Sequence, residues 1–169
     1  MYEKLLTRRS VRKYTAQQVS DEILDKVLEA GLYAPTAKNN QKPVMVAVRD
    51  KETIAKLSKA NAAIMGVETD PFYGAPCVIV VLSDAAMPTW IDDGSLVMGN
   101  LLNAAHALGL GSCWINRARE YYDTEEGKEL LKAWGVPEGY RGVGNCIIGY
   151  ADEDPAPKAR LEGRILKVD

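Results

Sequence analysis

Cys77-Val-Ile-Val-Val-Leu82 is the stretch that decides the fold. Four of its six residues are β-branched, and a short apolar run of this kind, placed between Pro76 and Ser83-Asp84, reads as a strand. The segment that follows, from about Asp92 to Leu108, is the longest helix candidate. It is apolar on most sides, through Leu96, Val97, Met98, Leu101, Leu102, Ala104, Ala105 and Leu108, so it belongs in the centre of the structure.

Upstream, a short helix is predicted over Tyr2–Thr7, followed by the extended basic segment Arg-Arg-Ser-Val-Arg-Lys-Tyr at 8–14. Ser20 caps a helix that places Ile23, Leu24, Val27, Leu28 and Gly31 on one face, with Asp21 and Glu22 complementing its dipole. Residues 34–43, Ala-Pro-Thr-Ala-Lys-Asn-Asn-Gln-Lys-Pro, form a polar loop with proline near both ends. Val44–Arg49 reads as a buried strand. Asp50 then caps a helix through Ile54, Leu57, Ile64 and Met65 that closes near Gly66. Downstream lie a short strand at Ser112–Asn116 and a helix from Asp123 or Thr124 to Trp134-Gly135. A strand at Val143–Tyr150 and a possible last one at Ile165–Val168 complete the chain.

The 169 residues make one domain, 1–169, with 47% hydrophobic and 26% charged residues, which sets disordered and fibrous classes aside. The longest apolar stretches are far short of a membrane span, and the N-terminus lacks the apolar core of a signal peptide. The expectation is a cytoplasmic protein with no membrane partner. Net charge is −2, which gives no global attraction to nucleic acid. The distribution is uneven: +4 over residues 1–13, +2 over 158–169 and −8 between them. Charge alone leaves two readings, chain ends that meet around an anion or solvated tails.

Several chemistries are set aside by the residues. The single histidine, His106, sits in the apolar helix and reads as a hydrogen-bonded core residue rather than a catalytic base. One histidine also excludes histidine-built metal sites. Cys77, Cys113 and Cys146 are widely spaced in apolar runs and read as buried structural thiols. No phosphate-binding Gly-x-x-x-x-Gly-Lys loop occurs. Gly142-Val-Gly144 lacks the third glycine of a dinucleotide fingerprint, with Ile147 in its place, and precedes a strand. An enzyme with this inventory leaves its hard chemistry to a bound cofactor.

In an extended chain Arg8, Ser10 and Arg12 point the same way. Two guanidinium groups flanking a hydroxyl suit a phosphate monoester, although the same composition also describes a solvated basic patch. Lys158-Ala-Arg160 supplies two more cations at the other end.

The basic start, the loop at 34–43, the stretch Asp93-Gly-Ser…Asn100-Leu-Leu-Asn-Ala-Ala…Leu108-Gly-Leu-Gly-Ser, and Gly149-Tyr150 with Lys158-x-Arg160 occur in register. Together they resemble the nitroreductase family of FMN-dependent oxidoreductases, from Leu5 to about Arg160. The resemblance implies an α+β fold, a central mainly antiparallel sheet flanked by helices, in an intertwined homodimer. It implies that Arg8, Ser10, Lys158 and Arg160 hold the FMN phosphate and ribityl chain, with Arg9 a further backbone or phosphate contact. Arg12 would lie near the pyrimidine edge, and Ile115, Asn116 and Arg117 beside the flavin N5. Pro35, Thr36, Ala37 and Asn39 would approach the flavin of the partner subunit. Two positions depart from the family pattern: Lys42-Pro43-Val44 stands where Pro-aromatic is usual, and Ala151 where proline is usual.

The activity so implied takes hydride from NADH or NADPH and passes electrons to a nitroaromatic or quinone by a ping-pong mechanism, with no catalytic side chain required. Two other readings share the same residues: a flavoenzyme for a different reaction, such as dehydrogenation or dehalogenation, and a non-catalytic flavin-binding protein.

Overall fold

The computed structural model describes residues 2–168. Its elements run α1 (Tyr2–Thr7), α2 (Asp21–Leu32), a 3-10 turn (Ala37–Asn39), β1 (Val44–Val48), α3 (Lys51–Met65) and β2 (Cys77–Asp84). Then come α4 (Trp90–Ala107), β3 (Gly111–Ile115), α5 (Ala118–Tyr122), α6 (Glu125–Ala133) and β4 (Tyr140–Gly149). The four strands form one sheet in the order β1-β2-β4-β3, and every neighbouring pair is antiparallel.

The Cys77–Leu82 run is central because both of its faces are covered. Cys77, Ile79 and Val81 pack with Leu24 and Val27 of α2 and with Val97, Met98, Leu101 and Ala105 of α4. Val78, Val80 and Leu82 face the other way, toward Leu57 of α3, Tyr121 and Tyr122 of α5, and Leu131 of α6. None of the six has any solvent exposure. Each fully buried Val, Ile or Leu of this strand contributes about 1.5–3 kcal/mol to the core. All three cysteines are buried and free, and desolvation pushes the Cys77 thiol up to about 12.

The expected caps are in place. Ser20 accepts the Ile23 N–H, Asp50 accepts the Thr53 N–H at 2.8 Å, and Thr124 accepts the Gly127 N–H at 3.0 Å. Gly66 closes α3 in the left-handed region at φ 68°.

Four expectations are corrected. α4 begins at Trp90, not Asp92, because Asp93 N–H already bonds the Thr89 carbonyl at 2.8 Å. β1 is mostly half-buried rather than buried, since it is an edge strand paired on one side only. His106 is not a core residue. It lies half-buried near the C-terminal end of α4 and shares a 2.9 Å hydrogen bond with Thr7 Oγ1. Residues 165–168 form no strand; Ile165, Leu166 and Val168 are exposed and have no edge to pair with.

Two close approaches tie the sheet to its neighbours. A Cβ at Gly142 would lie 2.6 Å from the Ala118 carbonyl carbon, and one at Gly144 would lie 2.5 Å from the Trp114 ring. These glycines let α5 and Trp114 lie directly against β4.

Candidate functional site

The basic segment lies on the free edge of β3. Ser10 bridges Ser112 in a parallel sense, and the Val11 N–H donates to the Ser112 carbonyl at 3.0 Å. Farther along, Tyr14 bridges Ala151, Thr15 N–H donates to the Tyr150 carbonyl, and Asp152 N–H donates to the Lys13 carbonyl. Segments 8–15, 111–117 and 150–153 therefore converge on one edge. Val11 acts as the wedge, because Gly111 has no Cβ to meet it.

Arg8 follows α1, with its N–H on the Lys4 carbonyl at 3.1 Å. Its Nη1 is shut off from solvent and has no hydrogen-bond partner among the described residues. A buried, unpartnered guanidinium nitrogen is costly unless an anion completes it. Ser10 stands two residues on, half-buried. Burial, with Lys4, Arg8 and Arg9 nearby, holds the His106 pKa below its usual value. The surroundings of Thr7–Ser10 are thus electropositive.

Arg9 has a different task. Its Nη1 donates to the Leu6 and Arg8 carbonyls at 2.8 and 2.9 Å, closing the end of α1. Arg12 is exposed, and its backbone N–H donates to the Glu153 carboxylate. Lys158 and Arg160 are exposed on the tail.

The loop at 34–43 is rigidly built. Lys38, Asn39 and Gln41 all take positive φ, at 51°, 53° and 50°. Such conformations persist only where the surroundings over-determine them. Thr36 Oγ1 accepts the Gln41 N–H at 3.0 Å, and Asn39 Oδ1 accepts from Gln41 Nε2 at 3.1 Å. Asp93, 2% exposed, fastens the loop to α4. It accepts the Ala37 N–H at 2.9 Å, Asn40 Nδ2 at 2.8 Å and the Thr89 hydroxyl at 3.2 Å. Burial pushes the Asp93 pKa up, but these three bonds outweigh it and hold the carboxyl below its usual value. Lys42 is absorbed here too, reaching Asp84 at the end of β2 at 3.3 Å. Pro35 is exposed.

The two halves of the expected site lie at opposite ends of α4. Thr7, beside Arg8, meets His106 near the C-terminal end, and the loop meets Asp93 in the first turn. Thirteen residues of α-helix span roughly 20 Å. Within one chain, the loop and the basic segment do not form one pocket.

Ile115 is buried at the end of β3, and Asn116 and Arg117 are exposed. Arg117 is left-handed, φ 74°, and its side chain pairs with Glu120 at 2.8 Å. Behind this turn, buried Asn61 of α3 donates from Nδ2 to the Asn116 carbonyl at 2.7 Å. Asp93 entered the sequence reading only as part of a motif, without its role at the loop, and Asn61 did not enter it. Each sits four residues from a core position on its helix, Val97 and Leu57, so the apolar periodicity marks both as buried polar groups.

The fold is an antiparallel α+β domain whose sheet edge carries an arginine nitrogen with no partner among the described residues, and whose clamped polar loop is held apart from it. The chain belongs to the nitroreductase family: the family's sequence profile matches residues 5–71 and 66–150. An Archaeoglobus fulgidus protein, provisionally named an NADH dehydrogenase/NAD(P)H nitroreductase, is 33% identical over 89% of this chain and 84% of its own. The FMN reductase [NAD(P)H] of Bacillus subtilis is 26% identical over 94% of this chain and 69% of its own. Among solved structures, the Bacteroides fragilis nitroreductase with bound FMN superposes with a TM-score of 0.91 at 27% identity, covering 99% and 98% of the two chains.

Proposed function

We propose that this chain is an FMN-dependent oxidoreductase that oxidises NADH or NADPH and reduces nitroaromatic or quinone-type acceptors as a homodimer. The observation that carries this reading is the buried Nη1 of Arg8, with no partner among the described residues, beside Ser10 on the edge of β3. A phosphate monoester suits this donor set, since arginine binds phosphate through directed, charge-assisted hydrogen bonds.

Bound FMN would supply the redox chemistry, taking up hydride at N5 and releasing electrons to the acceptor. The chain's own residues bind and orient. Arg8 and Ser10, joined by Lys158 and Arg160, hold the phosphate and ribityl chain. Arg12 places a cation near the pyrimidine edge, where negative charge gathers on reduction. Ile115 and the Asn116 and Arg117 amides flank N5. Arg9, whose Nη1 donates to the Leu6 and Arg8 carbonyls, adds a further backbone or phosphate contact through its remaining groups.

Separation of the loop from Arg8 along α4 supports a site completed across two chains, with Pro35, Thr36, Ala37 and Asn39 of the partner subunit closing it. Exposed apolar side chains support the same assembly: Leu5 and Leu6 on α1, Ile91 and Leu96 on α4, and Leu161, Ile165 and Leu166 on the tail.

The test is the visible spectrum of freshly purified protein, then addition of NADH or NADPH without oxygen. Flavin absorbance that bleaches on addition is the expected result. Protein that neither carries nor takes up FMN overturns the assignment, and bound flavin that neither donor bleaches leaves a carrier without turnover.

A further inference from the structure

Asn61 is 2% exposed on α3; its side chain donates from Nδ2 to the Asn116 carbonyl at 2.7 Å, and among the described residues its Oδ1 has no partner. Burying an amide whose oxygen has no partner is unfavourable, so packing alone does not account for an asparagine at this position. Asn116 itself is exposed, and water would satisfy its carbonyl if Asn61 did not. Hydrogen-bond satisfaction therefore does not explain the arrangement.

The peptide plane does. The Asn116–Arg117 bond is trans, so the Arg117 N–H points opposite to the Asn116 carbonyl. Asn61 draws that carbonyl toward α3 and thereby directs the Arg117 N–H away from α3. The Arg117 N–H donates to no group among the described residues, whereas the Arg117 carbonyl accepts from Tyr121 at 3.2 Å and starts α5. With φ at 74°, Arg117 is in a conformation that costs about 1–3 kcal/mol for a non-glycine residue and is held only by its surroundings.

We infer that Asn61 is a positioning residue: it fixes the Asn116–Arg117 peptide so that the Arg117 N–H is presented to the hydride-accepting atom of the bound cofactor. The inference rests on the flavin reading above. A donor aimed at N5 stabilises the oxidised ring, whose N5 has a free lone pair, more than the reduced ring, whose N5 bears a hydrogen. Asn61 thus biases the cofactor's two redox states through a bond it does not itself make.

The test compares Asn61→Leu and Asn61→Asp with the unaltered holoenzyme. Leucine fills a similar volume without a donor, and aspartate keeps the shape but presents an acceptor to a carbonyl. FMN affinity is measured for the oxidised cofactor and, after dithionite, for the reduced one, with the potential followed by redox titration. The ratio of the two affinities should shift about tenfold toward the reduced form, which for a two-electron couple raises the potential by about 30 mV. Thermal melting reports folding separately, and either variant alone suffices. An unchanged ratio with FMN still bound would make Asn61 a packing residue and overturn the inference, while the flavin reading stands. No FMN binding by the unaltered protein overturns both.

Discussion

The carboxylate of Asp93 accepts the backbone N–H of Ala37 at 2.9 Å, joining the first turn of α4 to a loop fifty-six positions earlier in the chain. With Asn40 and Thr89 as further donors, this one side chain sets the shape of residues 36–41. Asp93→Ala should destabilise the protein by about 2–3 kcal/mol, the worth of charge-assisted bonds to a buried acceptor. The effect depends on pH. Because the folded pKa is held below the unfolded one, the contribution is complete above about pH 5 and is lost as pH falls through the lowered folded value. Urea melts at pH 7 and pH 3 check this, and the gap between Asp93→Ala and the parent should narrow at pH 3.

Arg8→Ala should weaken FMN binding by about 10–150-fold, the loss of one charge-assisted hydrogen bond of about 1.5–3 kcal/mol. Arg160→Ala should act likewise, and Lys167→Ala should leave affinity unchanged. Removing Arg8 also removes a buried donor that has no partner among the described residues, so the FMN-free protein should be no less stable. Fluorescence titration and thermal melting read the two effects apart. Equal losses from all three substitutions would reduce the chain ends to nonspecific electrostatics.

Light scattering should report a dimer whose dissociation releases FMN, since α4 holds the loop and the basic segment at its two ends. A monomeric mass with flavin still bound would sink the shared site.

Turnover should be ping-pong, one flavin face serving donor and acceptor in turn. Initial rates with both substrates varied should give parallel double-reciprocal lines. Arg12→Ala should lower the flavin potential, by about 30 mV if about 1.4 kcal/mol of charge stabilisation is lost. Intersecting lines reject the shared face, and an unmoved potential removes Arg12 from its assigned role.

Gly142→Ala should cost about 1–3 kcal/mol, because the obstacle is the Ala118 backbone rather than a movable side chain. Since Ala118 follows Arg117, the substitution should also weaken FMN binding, as titration of the folded variant would show.

Most of the frame was legible in the sequence because its signals are local. Ser20, Asp50 and Thr124 announce their helices, and the β-branched run at 77–82 announces the central strand. What was not legible depends on tertiary contact. α5 is five residues long, too short for a period, and buried Tyr121 and Tyr122 hold it in place. β4 starts at Tyr140 although Gly142 and Gly144 lower strand propensity, because neighbouring groups occupy the space of their missing side chains. The basic segment was visible as charge, yet only its place on β3 separates Arg8, with a buried nitrogen that no described residue partners, from Arg9, which closes a helix. The tail offered Ile165, Leu166 and Val168 around Lys167, but a strand needs an edge, and among the described residues none meets it.

The bridges from Ser10 to Ser112 and from Tyr14 to Ala151 also set an order of events. Residues 8–14 emerge during synthesis about a hundred residues ahead of the strand edge that receives them, so they stay undocked while the helices between form from local contacts. Closing so long a loop carries an entropy cost that only a completed β3–β4 edge can repay. Docking of residues 8–14 at this seam should therefore come late in folding. Slowing of the last kinetic phase, rather than loss of the early ones, is the mark that substitutions at Val11 or Gly111 should leave.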